Sequence, residues 1–299
     1  MDIKFYNRYT KKEELEKVYG GSYVNWLYRS GLGKFFSGLL CFSWPSKIYG
    51  LLQNTSLSGK KKVRLFIKKF SIKIDEFLPE NESMENPYSS FNNFFIRRFR
   101  PDARPFKSAA DSLPAFCEAR YFGWQALEES QTIPVKKKYL TAKALTKDAW
   151  KEGDFKNGPV LLARLCPVDY HRFHFPDNGR IIRHFRIPGK LHSVNPLALA
   201  AKPDIFRTNE RRVSVLQSEN FGKLLYVEVG AVCVGKIVQT YKKESFMRGD
   251  EKGYFLFGGS TVILFGEKGY WAPDEDIVNN TKRGLETFIK LGDQVGRLL

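Results

Sequence analysis

The alternation of short apolar runs with turns is the feature that most constrains how this chain can fold. From about residue 113 onward, such runs are separated by segments rich in Gly, Pro and Asn. Runs of this length are typical of β-strands, and their spacing predicts a mainly antiparallel β domain. The predicted strands are Pro159–Leu165, Arg180–Ile187, Val213–Gln217, Leu224–Val229, Ala231–Gln239, Tyr254–Phe257 and Thr261–Phe265.

Helical patterns occur elsewhere in the chain. The acidic segment Lys11–Tyr19 is helix-like, and a helix over Phe91–Phe99 is expected to end before Pro101. In Asp276–Leu291 the apolar residues recur at helical spacing. Together these patterns predict an α+β fold, in which N-terminal helices precede the β domain and a C-terminal helix ends it.

The first 85 residues differ in character from the rest. Residues 22–52 carry aromatic side chains and leucines at roughly helical spacing, and the Trp and Tyr residues among them favour a lipid–water interface. This segment is predicted to lie on a membrane, with a pair of helices packed on the core as the alternative. The polar stretch 79–90 marks a boundary between a helical membrane-associating region, 1–85, and a domain over 86–299.

The charge of the chain favours an anionic partner. There are 49 Lys and Arg residues against 32 Asp and Glu residues, a formal net charge of +17. Such a surface attracts an acidic lipid face or a nucleic acid. No zinc-finger, RNA-recognition or basic-zipper pattern accompanies the basic residues, so charge alone leaves both partners open.

The four cysteines are Cys41, Cys117, Cys166 and Cys233, and they are far apart in the sequence. This spacing predicts reduced and mostly buried thiols rather than a metal cluster.

A glycine pair precedes a serine between two predicted strands. Gly258 and Gly259 lack Cβ atoms, so the backbone there can take angles that other residues avoid. Ser260 then stands next to the carbonyl of Gly259, which suits a serine that attacks its own preceding peptide bond. The alternative is a glycine-rich hairpin turn with a capping serine.

Two histidines and a carboxylate are further candidates for chemistry. His171 and His174 are three residues apart: on a strand their rings point to opposite faces, whereas a tight turn brings them together. They either transfer protons or form structural hydrogen bonds in a turn. Glu118 lies in an apolar stretch, so it either pairs with Arg120 or another basic residue or joins a set that activates a nucleophile.

Six segments, taken together and in order, resemble the phosphatidylserine decarboxylase proenzymes, which are pyruvoyl-dependent enzymes of phospholipid synthesis. The resemblance runs from about residue 88 to residue 291, and the N-terminal 85 residues match only in character. The segments are FNNFFIRRFRPDARPF (91–106), LARLCPVDYHRFHFPDNG (162–179), GKLHSVNPLAL (189–199), NER (209–211), VEVGAVCVGKI (227–237) and KGYFLFGGST (252–261).

The resemblance implies that the chain cleaves itself between Gly259 and Ser260. The products would be a large subunit, 1–259, and a small subunit, 260–299. Ser260 would become a covalent pyruvoyl group, so that no metal or external cofactor is needed.

The resemblance also implies roles for the other candidates. His174 matches the histidine that activates the serine, and His171 matches a histidine implicated in decarboxylation. The family's third processing residue is an aspartate, and Glu118 occupies its place with a side chain one methylene longer. The extra length matters because a shift of about 1 Å can cost on the order of 100-fold in a positioned reaction. Either Glu118 still orients His174 through a retreat of its backbone, or processing is slow, or Asp111 or Asp102, as weaker candidates, takes this role.

The implied activity is decarboxylation of phosphatidylserine to phosphatidylethanolamine. A peripheral protein on the cytoplasmic face of the cell membrane is expected, as a homodimer that binds anionic phospholipid and no nucleic acid. One alternative is a processing-deficient homologue that acts as an anionic-lipid-binding scaffold. A basic nucleic-acid-binding protein is the alternative from a different functional class.

Overall fold

The computed structural model describes residues 3–16, 56–81, 87–126, 141–194, 196–202, 204–231, 237–256 and 260–299. The predicted membrane-lying segment 22–52, and Gly258 and Gly259, lie outside the described residues. No helix in the described ranges is long and apolar enough to cross a membrane.

Six helices lie within the described residues. They are α1 (Ser56–Phe70), α2 (Phe91–Phe95), α3 (Ala142–Leu145), α4 (Pro196–Ala201), α5 (Ile205–Thr208) and α6 (Glu275–Lys282). Short 3-10 turns are present at Ile74–Glu76 and Ala149–Glu152.

Strands dominate the described part of the chain, as predicted. They are β1 (Lys4–Asn7), β2 (Lys12–Leu15), β3 (Phe77–Leu78), β4 (Arg98–Phe99), β5 (Ser112–Pro114), β6 (Ala119–Trp124), β7 (Val160–Leu165), β8 (Arg172–His174), β9 (Gly179–Ile187), β10 (Arg211–Ser218), β11 (Lys223–Val229), β12 (Ile237–Gln239), β13 (Ser245–Phe246), β14 (Glu251–Phe255), β15 (Ser260–Gly266), β16 (Trp271–Pro273), β17 (Glu286–Ile289) and β18 (Gln294–Leu298).

One large sheet organises the fold. Its ten strands follow the order β13-β9-β10-β11-β15-β7-β6-β17-β1-β2, and two three-stranded sheets follow the orders β12-β14-β8 and β16-β18-β5. Strands β3 and β4 form a two-stranded sheet. Strands β1 and β17 are parallel, and the other recorded strand pairs are antiparallel. The α+β class and the antiparallel character are therefore confirmed.

The sheet β12-β14-β8 packs on the large sheet. The ring of Phe173 on β8 lies 6.3 Å from that of Tyr226 on β11, and the Tyr226 hydroxyl donates to the backbone carbonyl of His174 at 3.2 Å. All three residues are buried. His174 ends β8 and His171 directly precedes it, so both candidate histidines flank this strand.

The start of the chain differs from its predicted helix. Residues 4–15 form the hairpin β1–β2, in which Lys11 closes the turn with φ 59° and donates its N–H to the carbonyl of Asn7. The hairpin extends the large sheet by pairing β1 with β17, so strand pairing outweighs local helical preference here. We call residues 3–16 the N-terminal hairpin; they belong to the same sheet as strands of the 86–299 region.

The predicted C-terminal helix over Asp276–Leu291 is wrong in its second half. Helix α6 ends at Lys282, and Gly284 follows with φ 74°, a conformation that ends helices. The chain then enters β17, where Ile289 is fully buried between β1 and β6 as a sheet residue. The predicted helix over Phe91–Phe99 is likewise shorter: α2 ends at Phe95, and residues 98–99 pair with β3.

The strands around the glycine pair do not form a hairpin. Strand β14 pairs with β12 and β8, whereas β15 pairs with β11 and β7 in the large sheet. The interpretation of this segment as a glycine-rich hairpin turn is therefore wrong, because the strands before and after it belong to different sheets.

Candidate active site

Ser260 begins the strand β15 and is fully buried. It lies opposite Leu165 of β7, and the β11–β15 register places Gly230 next to it on the other side. The neighbouring Thr261 hydroxyl is also buried and has no hydrogen-bond partner among the described residues. The serine thus lies buried at the start of an interior strand of the large sheet.

His171 is the histidine that contacts Ser260. Its Nδ1 lies 3.3 Å from Ser260 Oγ, and its Nε2 lies 2.8 Å from the backbone carbonyl of Cys166. The carbonyl only accepts, so Nε2 carries the proton and Nδ1 presents its lone pair to the serine hydroxyl. Phe95 stacks on the ring with the centroids 3.8 Å apart, which fixes the plane of the imidazole.

Burial keeps His171 neutral. The ring is fully buried, and this burial, together with the nearby positive charge of Arg97, holds the pKa of His171 well below its ordinary value of 6.5. A neutral imidazole with a free nitrogen facing a hydroxyl is the arrangement that activates a serine nucleophile. A separation of 3.3 Å is within the range of such pairs before reaction.

A tight turn positions the carbonyl that holds His171. The backbone N–H of Asp169 donates to the carbonyl of Cys166 at 2.9 Å, and the backbone N–H of Cys166 donates to Asp169 Oδ2 at 2.7 Å. Arg120 Nη1 donates to the same carboxylate oxygen at 2.6 Å. Sequence reasoning missed both groups: a backbone carbonyl has no residue signature, and Asp169 is distinguished only by its place beside the histidines.

His174 lies in a different environment. Its Nδ1 is 2.8 Å from the carbonyl of Gly249, and its Nε2 is 3.2 Å from the hydroxyl of Tyr170. Both ring nitrogens are thus engaged, and no contact with Ser260 is recorded among the described residues. Burial lowers the pKa of His174 as well. Although they are only three residues apart in sequence, His171 and His174 contact different groups.

Glu118 is paired with an arginine. Arg104 donates to both carboxylate oxygens, at 2.5 and 3.0 Å, and also to Glu76 at 2.7 Å. The backbone N–H of Leu291 adds a contact at 3.3 Å. Within the described ranges Glu118 contacts neither His171 nor His174. Its interpretation as the partner of a basic side chain is confirmed for Arg104 and wrong for Arg120, which pairs with Asp169.

The other candidates are less favourably placed. Asp102 and Asp111 are exposed, in contrast to the buried histidines. Cys117 and Cys166 are free, buried thiols, as expected, while Cys41 and Cys233 lie outside the described residues. No group of three His, Cys, Asp or Glu side chains in the described segments could hold a metal ion.

Comparison with known proteins identifies the family. The family model for phosphatidylserine decarboxylase matches residues 91–297. The chain belongs to the phosphatidylserine decarboxylase family. It is 41% identical to a phosphatidylserine decarboxylase proenzyme of Clostridium botulinum over 297 residues, which cover 98% of this chain and 99% of that relative.

Two further relatives agree with this assignment. A phosphatidylserine decarboxylase proenzyme of Clostridium perfringens is 42% identical over 296 residues, 98% of this chain and 99% of the relative. One from Ruminiclostridium cellulolyticum is 38% identical over 301 residues, 99% of this chain and 98% of the relative. The family resemblance given by the sequence motifs is thereby confirmed, and the matches include the N-terminal hairpin region.

Proposed function

We propose that this protein is a phosphatidylserine decarboxylase that processes itself at Gly259–Ser260. The observation that carries the proposal is the buried pair of His171 Nδ1 and Ser260 Oγ, 3.3 Å apart, with Nε2 committed to the Cys166 carbonyl. Membership of a family whose relatives are named proenzymes supports the same conclusion.

His171 acts as the general base in the self-cleavage step. Nδ1 takes the proton of Ser260 Oγ as the oxygen attacks the carbonyl carbon of Gly259. The C–N bond to Ser260 breaks, and the released nitrogen takes up a proton, which leaves an ester between the two residues. Loss of the Cα proton of residue 260 and cleavage of its Cβ–O bond would release Gly259 as a carboxylate and leave dehydroalanine. Addition of water to the imine form of this residue, with loss of ammonia, would give a pyruvoyl group at position 260.

The site fits a small carbonyl group at position 260. Ser260 is enclosed, and the buried Thr261 hydroxyl beside it has a donor unused by the described residues. A pyruvoyl group there would supply an electrophilic carbonyl, which is the chemistry needed to bind an amine and withdraw electrons during a decarboxylation. Around it, His171 can hold a proton at Nδ1.

The resemblance assigns serine activation to His174 and decarboxylation to His171, whereas the contacts favour His171 for activation. We propose His174 as a positioning residue, because its ring joins Tyr170 to the carbonyl of Gly249. Glu118 we assign to the ion pair with Arg104 rather than to either histidine.

The partners follow from the substrate. Phosphatidylserine is anionic, and the net charge of +17 favours the surface of an acidic membrane. We propose peripheral binding at the cytoplasmic face of the cell membrane through the N-terminal region up to residue 85, and a homodimeric enzyme.

The test is to purify the chain and the variant Ser260→Ala, and to supply each with vesicles containing phosphatidylserine. The native chain should appear as two subunits, 1–259 and 260–299, and should form phosphatidylethanolamine and carbon dioxide. The variant should remain one chain near 34.5 kDa and form neither product. A native chain that stays intact and still binds the vesicles would favour the lipid-binding scaffold, and cleavage of Ser260→Ala would refute the assigned bond.

A further inference from the structure

A buried network of charges links the N-terminal hairpin to the turn that holds His171. Glu16, the residue directly after β2, has a side chain only 2% exposed. Its Oε2 accepts from Arg164 Nη2 at 2.6 Å and from the Cys166 thiol at 3.1 Å, and lies 3.3 Å from Arg120 Nε. A carboxylate reaches this depth only when cations compensate its lost hydration.

Glu16 lets two arginines lie close together. Arg120 and Arg164 face each other across neighbouring strands in the β6–β7 register, and both are fully enclosed. Burial alone would raise the pKa of Glu16, but these two guanidinium groups, with hydrogen bonds from Arg164 and Cys166, lower it to about 2. The carboxylate therefore stays charged and offsets the repulsion between the two cations.

Arg120 links this balance of charges to the turn formed by Cys166 and Asp169, whose carbonyl group accepts from His171. Its Nη1 donates to Asp169 Oδ2, which also accepts from the backbone N–H of Cys166. The carbonyl of Cys166 in turn accepts from His171 Nε2. Each link is 2.6–2.8 Å long and buried. Loss of the Glu16 charge would push Arg120 away from Arg164 and so disturb Asp169.

We propose that Glu16 is a positioning residue for the reaction of Ser260, acting through Arg120, Asp169 and the Cys166 carbonyl to fix the Nε2–H tautomer of His171. This inference rests on the proposed function for its effect on cleavage. The hairpin that carries Glu16 lies outside the region matched by the family model. It is nevertheless held in place by its parallel pairing with β17.

The test measures the tautomer directly. In the uncleaved variant Ser260→Ala, labelled with ¹⁵N-histidine, the His171 ring should be protonated at Nε2 and unprotonated at Nδ1. Adding Glu16→Gln should raise the population protonated at Nδ1, and Glu16→Asp, which keeps the charge, should restore the original state. In the native background, Glu16→Gln should slow self-cleavage roughly 10- to 100-fold, as expected for a displaced catalytic group.

Two controls separate positioning from general stability. Glu14→Gln alters the same hairpin, where Glu14 bonds only side chains of the hairpin itself among the recorded contacts. Glu286→Gln removes another buried carboxylate from Arg164 but none from Arg120. Neither should change the His171 tautomer, although Glu286→Gln should lower the unfolding temperature.

An unchanged tautomer in Glu16→Gln would overturn the proposal, even if cleavage slowed, because the residue would then be merely structural. An equal tautomer shift in Glu286→Gln would also overturn it. The tautomer measurement needs no cleavage, so it stands if the native chain proves uncleaved, an outcome that would count against the proposed function alone.

Discussion

The pH dependence of self-cleavage provides a sharp test of His171 as the base. The reaction needs the neutral ring, and a histidine with the ordinary pKa of about 6.5 would be only about 9% neutral at pH 5.5. Its rate would then fall about 11-fold between pH 8 and pH 5.5. The pKa of His171 lies well below 6.5 because the ring is fully buried near Arg97, so a larger fraction of the ring is neutral at pH 5.5. We therefore expect the rate to fall by much less than about 11-fold over this range.

The assay follows newly made protein. A short pulse of cell-free translation gives labelled precursor, which is diluted into buffers from pH 8 to pH 5.5 and sampled for the cleaved fragment. The folded fraction must be measured at each pH. A buried neutral histidine binds its proton more readily when unfolded, so its contribution to stability is lost as the pH falls below about 6.5. A rate that falls about ten-fold with a midpoint near 6.5, in protein that remains folded, would refute the reasoning.

Further predictions concern the remaining contacts of the site. His171→Ala should abolish cleavage, and His174→Ala should permit it at a reduced rate; gel analysis showing the reverse would return serine activation to His174. Glu118→Gln should lower the unfolding temperature, since breaking a buried ion pair costs about 3–5 kcal/mol, while folded protein still cleaves at the native rate; thermal melts and cleavage kinetics of one preparation check both. Arg8→Ala should release the small subunit from cleaved protein at lower urea than the exposed control Lys12→Ala, and equal release would contradict this.

The expectation for Arg8 follows from its contacts between the N-terminal hairpin and residues 260–299. Arg8 donates to both carboxylate oxygens of Asp276, at 2.7 and 2.5 Å, and to the carbonyl of Gln294 at 2.5 Å. Charged hydrogen bonds of this kind contribute about 1.5–3 kcal/mol each at most, and less where water reaches them. If the chain is cut at the proposed bond, the hairpin should therefore help to hold residues 260–299 in the large sheet.

Three strands of the large sheet were predicted well because each buries most of its residues in an apolar run. Val213–Gln217, Leu224–Val229 and Thr261–Phe265 all lie within observed strands of the large sheet. The failures arose where tertiary pairing outweighed local preference. Phe288 and Ile289 have helical spacing with Ile277, but their segment forms a strand because it pairs with β1 and β6.

The sequence indicated which residues to consider for the site but not which of them contact each other. The motif order pointed to Ser260 and to both histidines, but spacing cannot tell which ring faces the serine. That choice depends on the Cys166 carbonyl, which orients one histidine. The partner of Glu118 could not be predicted either, because Arg104 is 14 residues away in sequence and is one of many basic residues.

The chemical state of residue 260 tests the central claim most directly. Intact mass spectrometry of freshly purified protein under denaturing conditions should find residues 260–299 as a separate polypeptide. Its mass should be that of the serine-initiated peptide less one molecule of ammonia, because the oxygen lost in the elimination is replaced by water in the hydrolysis. Its N-terminus should be blocked to Edman degradation. A single chain of 34.5 kDa with an unmodified Ser260 would contradict the account.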